Sequence, residues 1–277
     1  MSLEQLRGTS PKHLARMAMF YLAIVAFVGM WLMIFNFGLA AFFRIWFDPS
    51  LVDIHVVHHV TFISLVWVFG LAMLVQLYKP RHRVTTMQMA LLVPIVGLVD
   101  TVPQALHGVL DPMVFVLFAP VFIAAALHPA RGEVFSREQL SCDSLNWPLL
   151  GLAILALVPV GLYAIGQLNL QMTLSDEHAA MSHYSSIAYS SLLMVVYAAL
   201  ASLGGQSRRA AAFAAAFMAF VFATISTLHP ATSAIGPLWS GAAVLWGLAV
   251  VGIYEWSIRR TKSDREGVSK EEPSPAD

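Results

Sequence analysis

Cysteine is almost missing from this chain: Cys142 is the single one in 277 residues. One cysteine excludes an intramolecular disulfide, a CxxC redox pair and a thiolate zinc cluster. Charge is scarce as well. Charged residues make up 12% of the chain, against about 25% in a soluble domain. Hydrophobic residues make up 58%, and mean hydropathy is +0.71. These values exclude an ordinary soluble domain and predict a polytopic, all-α membrane protein. Lys+Arg and Asp+Glu balance at 16 each, so net charge points to no partner class, and no nucleic-acid partner is expected. G-x-G-x-x-G, P-loop and G-x-S-x-G patterns are absent. No cleavable signal is predicted either, because the first apolar run, 17–43, is longer than a signal h-region of about 7–15 residues.

A bilayer core takes about 20 apolar residues per helix. Eight stretches qualify: 17–43, 55–78, 86–107, 112–128, 147–167, 178–203, 210–229 and 236–257. Basic residues orient them, since Lys and Arg favour the cytoplasmic side. Of the 16 basic residues, all but Arg44 fall on one side of this arrangement. Both termini are therefore expected in the cytoplasm, with the chain in the plasma (inner) membrane and the lipid bilayer as its first partner. Residues 261–277 are polar and charged, with Pro and Ser, and read as a disordered cytoplasmic tail.

The ten histidines are not spread evenly over these spans. His55, His58, His59, His107, His178, His183 and His229 fall at outer helix ends, among Asp48, Asp53, Asp111, Asp176 and Glu177. An acidic, histidine-rich rim attracts cations. The same polar residues recur in order. DIHVVHHVTF opens the second span and DEHAAMSHYS the sixth; His55 and His178 are 123 positions apart, as are Asp53 and Asp176. His107 and His229, 122 apart, close the third and seventh spans. The pattern reads as a four-plus-four duplication, with a first half at 1–135 and a second at 136–260.

His55 and His59 lie at i and i+4, on one helix face. His58 is rotated by about 100° from His59 and is read as pointing elsewhere. On the third span Asp100, Gln104 and His107 form a polar stripe. Asp100 lies about 10 Å inward from His107 at 1.5 Å per residue, and an intramembrane carboxylate is by default a functional candidate. Asp100 is the expected catalytic, relay or ligand-orienting group. A lone histidine at a helix end is usually interfacial; the case for a site rests on seven sharing one side. Ser186, Ser190, Thr224 and Thr227 lead inward on the sixth and seventh spans, as helix packing or as a polar path.

Histidine and carboxylate without cysteine suit copper or iron, with zinc ranked lower. The expected metal ligands are His55, His59, His107, His178, His183 and His229, with Asp53 and Asp176 as carboxylates. A b-type haem is the alternative, its axial pairs being His59 with His107 or His183 with His229. These readings imply a membrane redox or metal-handling protein, with oxygen or water activation on a lipid-soluble substrate as the enzymatic version. A cation or proton transporter or copper-assembly factor is a further alternative. Short loops imply that a redox role needs a periplasmic or membrane redox partner.

Three resemblances follow these motifs. HVVHH (55–59) is similar to the HxxHH box of membrane fatty-acid desaturases and alkane hydroxylases, and HAAMSH (178–183) to their HxxxxH box. A further HxxHH box is missing here, and that family's di-iron site is cytoplasmic. The duplicated eight-helix layout is similar to haem A synthase, whose arginine-flanked helix motif is absent. Paired histidines at helix starts look like those of multi-span copper-assembly proteins of cytochrome oxidase, without their proline-rich segment. None of the three carries a residue's role onto this chain.

Overall fold

A computed structural model describes residues 10–47, 55–106, 113–136, 145–203, 208–230 and 232–271. Every regular element among them is helical. The α-helices are α1 (Pro11–Phe47), α2 (Val56–Leu74), α3 (Val84–Val96), α4 (Leu98–Leu106), α5 (Met113–Leu127) and α6 (Arg131–Val134). They continue with α7 (Trp147–Thr173), α8 (Glu177–Ala180), α9 (His183–Ser202), α10 (Arg209–Leu228) and α11 (Gly236–Glu271). Six helices are long and apolar enough to cross a membrane, those beginning at residues 11, 56, 147, 183, 209 and 236, and two shorter apolar ones, 84–96 and 115–127, accompany them. The chain thus has the character of a polytopic helical membrane protein.

Local chemistry explains the helix ends. Ser10 accepts the His13 amide through its hydroxyl just ahead of Pro11, a helix start with proline at the position that has no donor to lose. Asn146 caps α7 by accepting from Leu149 N at 3.2 Å, and its own amide donates to Ser202 O at 2.7 Å. That bond ties the start of α7 to the end of α9.

The predicted third span, 86–107, is not one helix. It divides at Gly97 into α3 and α4. Pro94 and Pro103 lack the amides that would bond back along the helix, and Gly97 leaves room for Tyr189 of α9, whose hydroxyl donates to Val93 O at 2.6 Å. One turn further inward, Tyr197 donates to Met89 O. At the other end of the chain α11 continues to Glu271, past the boundary at 260 where composition places the disordered tail.

Layering follows burial. The spanning windows of α2, α9 and α10 are 61%, 78% and 61% buried, whereas those of α1, α7 and α11 are 28%, 17% and 17%. The first three form the centre, and α2 packs against both α9 and α10. Close approach comes from small residues: α11 reaches α10 where Gly247 meets Ala216. At the α1–α2 crossing, Gly70 lies against the Trp31 indole, whose N–H donates to Val66 O at 3.1 Å.

The end of the bundle opposite the histidine-rich helix starts carries a second buried polar set. His128 is fully buried, and its Nδ1 accepts from Ala130 N at 3.1 Å while Nε2 faces Gln76 Oε1 at 3.3 Å. Gln76 in turn donates to Thr86 and to Arg83 O. Burial pushes His128 down to about 4, so it is neutral at physiological pH. Nearby, Arg208 is buried and donates to Gln88 at 2.7 Å, while Gln88 donates to Val134 O. Burial lowers the guanidinium below its ordinary value.

Candidate functional site

Five histidines meet where the starts of α2, α8 and α9 converge. His55 is the N-cap of α2, and His58 and His59 lie in its first turn. His178 sits on α8 and His183 opens α9. Their rings touch: His55 is 4.4 Å from His178 and 4.8 Å from His183, centroid to centroid. His58 is 4.8 Å from His178 and stacks on His183 at 5.4 Å; His59 is 4.8 Å from His183. His55 Nδ1 and His183 Nδ1 are 3.0 Å apart, so in the neutral state one donates and the other accepts. His55, His58, His178 and His183 are buried, and His59 is half-buried.

His58 overturns its sequence reading. The 100° offset from His59 does turn it away from that face, but the α8–α9 corner wraps two sides of the α2 start, so both faces meet histidines. The far side of His58 meets the loop after α10, where Ser233 Oγ lies 2.9 Å from His58 Nε2. Ser233 donates its one hydroxyl proton to Gln167 Oε1 at 2.6 Å. Its oxygen therefore accepts from His58, which assigns the proton to Nε2 by the hydrogen-bond network. His58 Nδ1 is left as a bare acceptor, buried and with no hydrogen-bond partner. Ser233 has φ 70°, in the left-handed region, and its carbonyl accepts from Tyr163 OH at 2.7 Å.

Carboxylates border the cluster. Glu177 Oε2 is 3.6 Å from His55 Nε2, and Asp176 Oδ2 is 3.9 Å from His178 Nδ1. Asp176 caps α8 through Ala179 N at 2.9 Å and accepts from Tyr184 OH at 2.8 Å. Those bonds, the Ala179 amide first, hold its carboxyl below the usual carboxylate range. With both oxygens engaged, Asp176 stands as a partner of His178.

The other expected residues fall differently. Asp53 and His107 lie outside the described residues, as do Asp48 and Asp111. Asp100 is on α4, with its side chain outside the described part. His229 ends α10 as its C-cap, and the ring contacts among the five histidines do not extend to it. Hydroxyls read as a polar path bond back to their own helices: Ser190 to Ser186 O, Thr224 to Phe220 O and Thr227 to Ala223 O. Gln167 and Ser233 escaped the sequence reading. Gln167 had a legible signal, a polar side chain inside the apolar run of α7; Ser233, in a loop, had none.

Among the described residues, no group of three or more His, Cys, Asp or Glu side chains stands arranged to hold a metal ion. What the site offers is a packed set of neutral-capable imidazoles, one with an open lone pair and two beside carboxylates. No protein-family model, curated protein or solved structure matches this chain.

Proposed function

We propose that this chain is an integral membrane protein with a transition-metal centre at the histidine-bearing ends of α2, α8 and α9, serving a redox or metal-handling role. The carrying observation is His58 Nδ1: a buried lone pair with no partner, in a ring packed among other imidazoles. A buried acceptor left unmade costs about 1–3 kcal/mol, and a metal ion removes that cost. His55 and His183 supply the next two donors. Metal–nitrogen bonds run at about 2.0–2.1 Å, so one ion can bond both Nδ1 atoms across their 3.0 Å separation. Imidazole and carboxylate donors without thiolate would suit copper or iron, with zinc ranked lower. Ring rotations at His59 or His178 would complete the set, with Glu177 and Asp176 orienting His55 and His178 from outside it.

Rings in direct contact suit a small ion, whereas a b-type haem needs two imidazoles facing each other across the iron with lateral room for the whole macrocycle. The back-bonded hydroxyls argue against a transport path. We retain eight spans with both termini cytoplasmic as part of this proposal, supported by the two shorter apolar helices and the one-sided basic residues. A redox partner would then dock from the periplasmic side.

The test is metal content and copper(II) electron paramagnetic resonance of the full chain in mild detergent. Wild type and His82→Ala are expected to hold metal with nitrogen hyperfine structure; His58→Ala and His183→Ala are expected to lose it. Equal retention by all four would sink the assignment, and a Soret band in the optical spectrum would replace it with haem.

A further inference from the structure

An apolar groove of about 810 Å³ lies between α7 and α11, floored by α9 and α10. Its size is that of a small-ligand site. It opens outward: Leu155, Val158 and Leu162 on one wall and Trp239 on the other are each more than half exposed, and in a membrane that exposure faces lipid. Three of its four side-chain donors are already committed, and the fourth is the indole N–H of the exposed Trp239. Tyr163 OH donates to Ser233 O, Ser191 Oγ to Ala188 O, and Trp246 Nε1 to Leu152 O. A quinone ring or other polar head would find none of these three donors free, whereas a hydrocarbon chain needs none.

Length selects among hydrocarbon chains. From Leu155 to Tyr163 the α7 wall runs about 12 Å, and from Ile235 to Trp246 the α11 wall runs about 16 Å, at 1.5 Å per residue. Half of a bilayer core is about 15 Å thick. The groove therefore spans one leaflet. Trp239 stands within the first turn of α11, at the end where interfacial indoles meet headgroups. We infer that this groove holds one acyl chain of a membrane phospholipid, drawn from the leaflet on the histidine side, with its headgroup beside Trp239. The site stands independently of the metal reading, although Tyr163 and Ser233 connect its outer end to His58.

Native mass spectrometry of the full chain, released from palmitoyl-oleoyl-phosphatidylcholine vesicles into mild detergent, tests this. Wild type is expected to carry one phospholipid adduct through delipidation. Ala242→Phe and Val158→Phe, both at exposed positions on the groove walls, are expected to lose it to background; Leu248→Phe, on the outward face of α11, is expected to keep it. Should one groove variant fold poorly, the other decides. An adduct absent from wild type, or equal in all four proteins, overturns the site. An isoprenoid carried from native membranes in place of phospholipid overturns the choice of an acyl chain.

Discussion

Ser233→Gly separates the chemistry of one hydroxyl from the backbone that carries it. The hydroxyl fixes the His58 proton on Nε2 and so leaves Nδ1 open; in the proposed metal centre that would be a supporting role outside the ligands themselves, and losing such a role costs about 10–100-fold in metal affinity. That range corresponds to about 1.4–2.8 kcal/mol of binding free energy. Fold stability should respond otherwise. Losing the hydroxyl leaves His58 Nε2–H and Gln167 Oε1 short of a partner, at about 1–3 kcal/mol. Glycine, however, relieves the left-handed backbone at φ 70°, which costs a non-glycine residue about 1–2 kcal/mol. The two effects nearly cancel, so Tm should move little while affinity falls. The assay is copper(II) competition against a chromophoric chelator at fixed pH, with thermal unfolding of the same samples. Gln167→Leu should mimic Ser233→Gly, because the freed hydroxyl then donates to Nε2 and drives the proton to Nδ1. Gln167→Glu keeps an acceptor and should bind as wild type does. If Ser233→Gly binds copper like wild type while His58→Ala does not, the tautomer argument is refuted.

Three further outcomes are expected. His128 is held at about 4 by burial against an ordinary 6.5 when unfolded, so the unfolded chain binds the extra proton first. The stability His128 gives should be full above pH 6.5 and fall as pH drops towards 4; unfolding of wild type and His128→Gln at matched pH values should show a difference that shrinks on acidification, and a constant difference would contradict it. Gly70→Ala places a methyl inside the Trp31 indole and should cost about 1–3 kcal/mol, read as lowered Tm, with a smaller effect in a Trp31→Leu background. Cys142, the lone cysteine, lies outside the described residues on a loop read as cytoplasmic; an impermeant maleimide should miss it in intact cells and label it in inverted vesicles.

Apolar runs announced the long helices, because a segment hydrophobic all round has few other places to go. Their interruptions were harder. The 86–107 stretch is long enough for one span, yet it breaks at Gly97, just after Pro94, where Tyr189 arrives from another helix. The site divides in the same way. His55 and His59 were legible from their spacing, and His178 and His183 from the echo of that motif. His58 was not, since helical periodicity gives a direction but not what stands there, and both directions turned out to hold histidines. His229 shows the converse: its spacing matched His107, yet it ends α10 without joining the rings. The serines and threonines looked like a path because sequence shows a hydroxyl but not its acceptor, and for Ser190, Thr224 and Thr227 the acceptor is one turn back on the same helix.

The histidines crowd the first turn of their helices, and beyond them Ser190, Thr224 and Thr227 are bonded to their own backbones. His59 is about 6 Å along the axis from His55 at 1.5 Å per residue, against a hydrocarbon core of about 30 Å. A cation reaching the rings from their own side would thus cross at most about a fifth of the transmembrane field. Of the roughly 2.3 kcal/mol per charge that 100 mV supplies, only about 0.5 would act on it. Occupancy would follow the concentration of the ion on that side of the membrane and stay nearly indifferent to whether the membrane is energised.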